Sequence, residues 1–149
     1  MKIFFKLMFI LSSFILIACQ TPLFAVVYRT TLWVSQIDPM IRHENISVRF
    51  YNEYYEFSSF KQMNPNIKLH RQADYFNTRD LMHLQIYHNN VIYRKISNIY
   101  LKNGTLRIIF IGNFPEIAAD IGLQTNFIVS IDKIVHSQIV SIEIERRQE

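Results

Sequence analysis

Histidine and cysteine are the side chains of this sequence best suited to bind metals or to act as nucleophiles. The chain has one cysteine, Cys19, and five histidines: His43, His70, His83, His88 and His136. His83 and His88 are five positions apart, which puts them on opposite faces of a strand and on different faces of a helix. No Cys-x-x-Cys, His-Glu-x-x-His or carboxylate cluster accompanies them. The sequence therefore predicts structural or solvent-exposed histidines, no metal site and no bound cofactor.

The local motifs of enzyme chemistry are absent from the sequence as well. It has no Gly-x-Ser-x-Gly, and its three glycines are too few for a phosphate-binding loop. The aspartates mostly lie beside turns, where this residue commonly caps backbone amides: Asp38, Asp74, Asp80, Asp120 and Asp132. A triad assembled from distant residues stays open at this point, but we expect a protein that is not an enzyme.

The single cysteine stands directly after an apolar N-terminal stretch. Lys2 and Lys6 precede the twelve residues 7–18, which are interrupted only by two serines. This length matches the hydrophobic region of a secretory signal peptide and is well short of the ~20 residues of a membrane-spanning helix. Leu16-Ile17-Ala18-Cys19 resembles the bacterial lipobox, in which the cysteine becomes the first residue of a mature lipoprotein.

The lipobox resemblance implies a covalent lipid anchor. Cys19 would carry diacylglycerol and a fatty acyl group such as palmitate, and several acyl chains hold a domain on a membrane better than one. Gln20 occupies the position where aspartate resembles an inner-membrane retention signal, so we expect a periplasmic protein anchored in the outer membrane. The alternative is an incidental or buried cysteine at the end of an uncleaved anchor. The predicted organisation is a signal peptide over 1–18, a lipidated tether over 19–26 and one domain over 27–149.

Composition supports a single folded domain and argues against nucleic acid as a partner. Half of the residues are hydrophobic, and 12 Phe, 8 Tyr and 1 Trp provide enough apolar side chain for a core. Two of the 16 basic residues lie in the predicted signal peptide, and the other 14 nearly balance 12 acidic residues. Such a balance does not provide the concentrated basic face that nucleic acid requires.

Alternation of apolar and polar residues predicts an all-β fold. It is clearest over 46–51, 123–131 and 140–145, and β-branched and aromatic residues predict a further strand over 27–37. Asn103-Gly104 predicts a type I′ turn between strands at 91–102 and 105–111. Six or seven short strands indicate an antiparallel β-sandwich.

The middle of the chain gives a weaker pattern. We expect a short helix over 73–78 and a strand over 81–87, while 53–60 has no clean period and is predicted as a loop or helical turn. The aromatic group in this region has two interpretations: Phe50, Tyr51, Tyr54, Tyr55, Phe57 and Phe60. It forms part of the core with a rim of tyrosines, or it forms a stacking platform for a sugar or a hydrophobic partner.

A series of motifs in a fixed order resembles TssJ, the outer-membrane lipoprotein family of type VI secretion systems. After the lipobox come Ile37-Asp38-Pro39, "ISVRFY" (46–51), "ADYF" (73–76), "LKNGTLRIIFI" (101–111) and "IAADIGLQTNF" (117–127). The resemblance implies a transthyretin-like antiparallel β-sandwich with a short helical insertion, a membrane anchor and no catalysis. It also implies that the loop between the first two strands contacts the periplasmic domain of a TssM-like inner-membrane protein.

The equivalent contact loop in this sequence is "DPMIRHEN": Asp38, Pro39, Met40, Ile41, Arg42, His43, Glu44 and Asn45. Its apolar pair stands where the strand pattern has stopped, and charged residues provide a polar rim, as at many interfaces. The alternative is a plain connection whose apolar pair folds back onto the sandwich. The expected function is docking of a secretion membrane complex. The other hypotheses are a lipoprotein that binds a sugar or lipid, and a pilotin-like chaperone for another outer-membrane protein.

Overall fold

Strands make up most of the part of the chain that the computed structural model describes, which is residues 22–34, 45–89, 92–113 and 122–148. The strands are β1 (Phe24–Val34), β2 (Asn45–Tyr51), β3 (Arg79–Asn89), β4 (Ile92–Lys102), β5 (Thr105–Asn113), β6 (Gly122–Asp132) and β7 (Ser141–Gln148). The helices are α1 (Tyr54–Met63), a 3₁₀ helix (Ala73–Asn77) and the single turn α2 (Lys133–His136). The predicted all-β sandwich with a short helical insertion is confirmed.

The strands form two sheets that face each other. The four-stranded sheet has the order β1-β6-β3-β2 and is antiparallel throughout, and the three-stranded sheet has the order β4-β5-β7. Within the second sheet β4 and β5 are antiparallel, whereas β5 and β7 are parallel, a pairing that the sequence pattern did not indicate. The amides of Val140 and Ser141 both donate to the carbonyl of Gly104, at 2.8 and 3.2 Å, so β7 starts beside the start of β5.

The core between the sheets contains the inward-facing residues that alternation predicts. Its fully buried members come from three strands: Met82, Leu84 and Ile86 of β3, Leu106, Ile108 and Phe110 of β5, and Phe127, Val129 and Ile131 of β6. The alternating residues of the edge strands β2 and β7 pack against them, among them Ile46, Val48, Ile142 and Ile144. Val140, which the pattern included in the last strand, lies just before β7 and is 88% exposed.

A helical layer covers the outer face of the four-stranded sheet. α1, the segment 64–72 and the 3₁₀ helix bury Phe57, Phe60, Ile67, Leu69 and Phe76 against residues of β2, β3 and β6. The region predicted as a loop or helical turn is thus a full α-helix. It starts with a capping box, because the Glu56 carboxylate accepts from the amide of Glu53 at 3.3 Å. Phe57 and Phe60, three positions apart, then share the face that meets the sheet.

The register of the strands defines two ends of the sandwich. The N-terminal end carries Pro22, the start of β3, α2 and the turn Asn103-Gly104. The far end carries the end of β1 and the start of β2, between which residues 35–44 connect. The first strand already begins at Phe24, inside the range predicted as tether, because Phe24 pairs with Ile131 and packs on the core. An eleven-residue strand such as β1 separates the two ends by about 35 Å.

The turn at Asn103-Gly104 joins β4 to β5 as predicted, with φ of 52° and 77°. We expect Gly104→Ala to lower the free energy of unfolding by about 1–2 kcal/mol, since an L-residue is strained at this φ. The added Cβ would also lie 3.1 Å from Cγ2 of Val140. Urea unfolding measures the effect. Asn103→Gly is the matched control, because glycine accepts the same backbone conformation, and a loss as large in the control would contradict the explanation.

Candidate functional site

The two predicted functional segments lie mostly outside the described residues. Cys19 and residues 38–44 are outside them, and Asn45 is seen as the first residue of β2 by its backbone. The described chain therefore shows where each segment attaches. Pro22, three positions after Cys19, lies at the N-terminal end, and β1 and β2 meet residues 35–44 at the far end.

An arginine holds the chain just after the predicted lipidation position. Arg79 Nη1 donates to the carbonyl of Pro22 at 2.8 Å, and its Nε donates to Ser130 Oγ at 2.8 Å. Tyr75 OH also donates to Ser130 Oγ, at 2.5 Å, and the amide of Asp132 donates to the carbonyl of Leu23 at 3.0 Å. Charge-assisted and backbone hydrogen bonds thus fix Pro22 and Leu23, where the described chain begins, to β3 and β6.

A buried carboxylate forms the main ionic cluster of the described chain. Asp80, 2% exposed, accepts from His136 Nδ1 at 2.5 Å, and Lys133 Nζ lies 3.8 Å from its other oxygen. The lysine also donates to the carbonyls of Phe76 at 2.9 Å and Asn52 at 3.3 Å. A buried charge requires such partners, so this cluster ties α2 to β3 and to both ends of the helical layer.

The Asp80–His136 pair has the first two members of a catalytic triad, but its other described contacts are structural. The His136 ring stacks on Phe50 with centroids 4.3 Å apart and planes 19° apart. The neighbouring hydroxyl, Ser137 Oγ, donates to the carbonyl of Ile134 at 2.7 Å. No described contact of the imidazole is with a hydroxyl or thiol that it could activate. The geometry supports a role in positioning α2.

A buried histidine lies beneath the helical layer. His83, 3% exposed, contacts Asn126 Oδ1 through Nε2 at 2.9 Å, and Gln124 Nε2 donates to the same oxygen at 3.1 Å. Its ring lies 4.8 Å from that of Phe60. Burial lowers the pKa of His83, with Arg49 adding to this effect and the hydrogen bond to Asn126 opposing it. His83 is therefore a core residue that is most stable in its neutral form.

The aromatic group over 50–60 forms core with a tyrosine rim, the first of its two interpretations. Tyr51, Phe57 and Phe60 are buried, while Tyr54 and Tyr55 are 44% and 68% exposed. Burial raises the pKa of Tyr51 to about 12. The rings contact one another in tilted and edge arrangements, which stabilise aromatic clusters. The structure therefore uses most of these rings to attach the helical layer.

Two shallow clefts flank His70 and Arg71 on the helical layer. One, of about 280 Å³, includes Tyr54 and Lys61, and the other, of about 630 Å³, includes Asp74 and Tyr75. Lys61 Nζ lies 3.1 Å from His70 Nδ1, and the guanidinium of Arg71 lies 5.1 Å from the ring centre of Tyr75. These contacts make a mixed polar and aromatic surface.

Metal and membrane-spanning features can be tested only within the described chain. Among its residues there is no group of three His, Cys, Asp or Glu side chains placed to hold a metal ion. In the same part of the chain, no helix combines the length and the apolar character that crossing a membrane requires.

The sequence predicts Asp80 only as one of several aspartates that cap turns and His136 only as a structural or exposed histidine, and it does not single out Arg79. Arg79, Asp80 and His136 have partners about 50 to 60 positions away, so no local spacing reveals them. Arg79 and Asp80 also lie just before the strand predicted over 81–87, whereas β3 begins at Arg79. Asp132 does cap as the aspartates were expected to, accepting from the amides of Ile134 and Val135 at 2.9 and 3.4 Å.

Protonation of His83 should make stability depend on pH. Since its folded pKa lies below the ordinary value of about 6.5, the unfolded chain binds more protons below that pH, and stability falls as the pH falls. We expect His83→Gln to reduce this slope in urea unfolding between pH 7.5 and 5, and the exposed His70→Gln to keep it. An unchanged slope in His83→Gln would contradict the assignment.

Comparison with known proteins adds no relative: no family model, no curated protein and no solved structure matches this chain.

Proposed function

We propose that this chain is a lipid-anchored periplasmic protein of the outer membrane that docks the inner-membrane component of a type VI-like secretion complex. The anchor is a diacylglycerol and fatty acyl modification of Cys19 after removal of residues 1–18. The partner is the periplasmic domain of a TssM-like protein. The role is structural, and no step of it is catalytic.

The observation that supports the proposal is that the described residues flanking the two segments, Pro22 on one side and Val34 and Asn45 on the other, lie at opposite ends of the sandwich. Pro22, which is three positions after Cys19, is held at the N-terminal end by a hydrogen bond from Arg79. β1 then runs the length of the sheet to Val34, and the chain returns to the sheet at Asn45. An anchor at one end and a contact loop about 35 Å away suit a protein that reaches from one membrane towards a partner in the periplasm.

The packing of the two cores also supports docking over ligand binding. Phe57, Phe110 and Phe127 are fully buried, so aromatic side chains fill the space between the layers. A sugar-binding or lipid-binding function would instead be favoured by a deep cleft lined with aromatic rings. The clefts beside His70 and Arg71 are the observation that favours this second candidate, and they are shallow and partly polar.

The anchor is tested by metabolic labelling. We expect cells grown with labelled palmitate to label the native protein and not Cys19→Ser, because the thiol is the acceptor of the lipid. The native protein should fractionate with outer membranes. Equal labelling of the two proteins, or a native protein recovered in the soluble fraction, would disprove the anchor.

The contact loop is tested by capture of the periplasmic domain of the TssM-like protein encoded in the same genome. We expect Met40→Asp with Ile41→Asp to reduce capture at least tenfold, since two charges would be buried in the interface. The matched control is Tyr55→Asp with Met63→Asp, which changes two exposed apolar residues of α1, 68% and 74% accessible. Equal capture by all three proteins would show that the loop is not the contact.

A further inference from the structure

Three separate segments expose large apolar side chains at the N-terminal end of the sandwich. Leu23, just before β1, is 56% exposed, Ile134 of α2 is 73% exposed, and Val140, just before β7, is 88% exposed. Each exposes more than half of a branched aliphatic side chain, although the two cores elsewhere bury such residues. Clustered apolar exposure at one end of a domain marks a surface that contacts something apolar.

Backbone contacts place the three segments on the same end. The carbonyl of Leu23 accepts from the amide of Asp132 at 3.0 Å, and the Asp132 carboxylate caps α2 by accepting from the amide of Ile134 at 2.9 Å. The amide of Val140 donates to Gly104, in the turn between β4 and β5. Leu23 further lines an apolar recess of about 520 Å³ together with Leu101 at the end of β4 and Val135 of α2.

The orientation of this end relative to the anchor follows from the hydrogen bonds of Arg79. Because Pro22 is held at 2.8 Å, only Gln20 and Thr21 separate the fixed backbone from Cys19. Three residues of extended chain span at most about 11 Å. An acylated Cys19 would therefore bring this end to the headgroup region of the bilayer, with little freedom to turn away.

We propose that the end formed by Leu23, Ile134 and Val140 lies on the phospholipid surface that holds the lipid anchor. The apolar side chains enter the boundary between headgroups and acyl chains, where burial of apolar area is favourable. Lys102 flanks this end beside the Asn103-Gly104 turn and is exposed, which suits contact with anionic headgroups. The proposal rests on the proposed lipid anchor and adds to it a fixed orientation, with the far end directed away from the membrane.

The test places tryptophan at two positions that are equally exposed in the structure. Ile134→Trp reports the N-terminal end, and Met63→Trp, at the end of α1, is the matched control, since the original residues are 73% and 74% exposed. The full-length lipidated proteins are reconstituted in vesicles of phosphatidylethanolamine and phosphatidylglycerol whose acyl chains are brominated near the headgroup. The parent protein gives the background of its native Trp33.

We expect brominated lipid to quench the tryptophan at position 134 at least twofold more than that at position 63. A second pair, Val140→Trp and the same Met63→Trp control, should give the same order. Equal quenching within both pairs, in proteins whose mass includes the acyl groups, would contradict the proposed contact of this end with the membrane but not the proposed lipid anchor. A parent protein whose mass lacks acyl groups would overturn the proposed function and this inference together.

Discussion

The central strand pair β3–β6 must be covered on both of its faces, and the rest of the fold follows from this constraint. Consecutive residues of both strands are buried, from Asp80 to Leu84 and from Leu123 to Ile131 in all but one position. A two-layer sandwich can cover one face only, and the three-stranded sheet does so. The helical layer covers the other face with Phe57, Phe60 and Phe76, so the domain has three layers and two apolar cores.

Burial on both faces determines how the polar residues of these strands are used. His83 and Asn126 lie beneath α1 and are paired with each other, and Asp80 contacts His136 and Lys133 where β3 begins. Each of these groups would be costly to bury alone. The contacts of Asp80 and His136 link α2 to β3 and β2.

The same arrangement separates the two positions that matter for the proposed function: the residue that follows the anchor segment and the strand ends that flank residues 35–44. Arg79 and Ser130, both on the outer face of the four-stranded sheet, hold Pro22 where the chain enters. The strands then carry the chain to the far end, where residues 35–44 connect β1 to β2. A stiff sheet between an anchor and a contact loop would transmit a fixed distance and orientation, which a flexible tether would not.

The sequence by itself determined the features that depend on local pattern. Alternation identified the inward faces of β2 and β6, and Asn103-Gly104 identified its hairpin. The order of charge, apolar run and Cys19 predicts a signal and an anchor, and this stays a prediction. Each of these depends on side-chain period or on backbone preference within a few residues. The short helix near residues 73–77 was found for the same reason.

Only the tertiary structure decided the features that join distant parts of the chain. These are the helical layer on the outer face, the parallel pairing of β7, the hold of Arg79 on Pro22 and the pair Asp80–His136. The partners in the last two are 57 and 56 positions apart, so their contact depends on strand order and register, which periodicity leaves undetermined. α1 was not predicted as a full helix because its aromatic residues lie on both its buried and its exposed face, which hides the helical period. The sheet surface that buries one of these faces exists only in the folded protein.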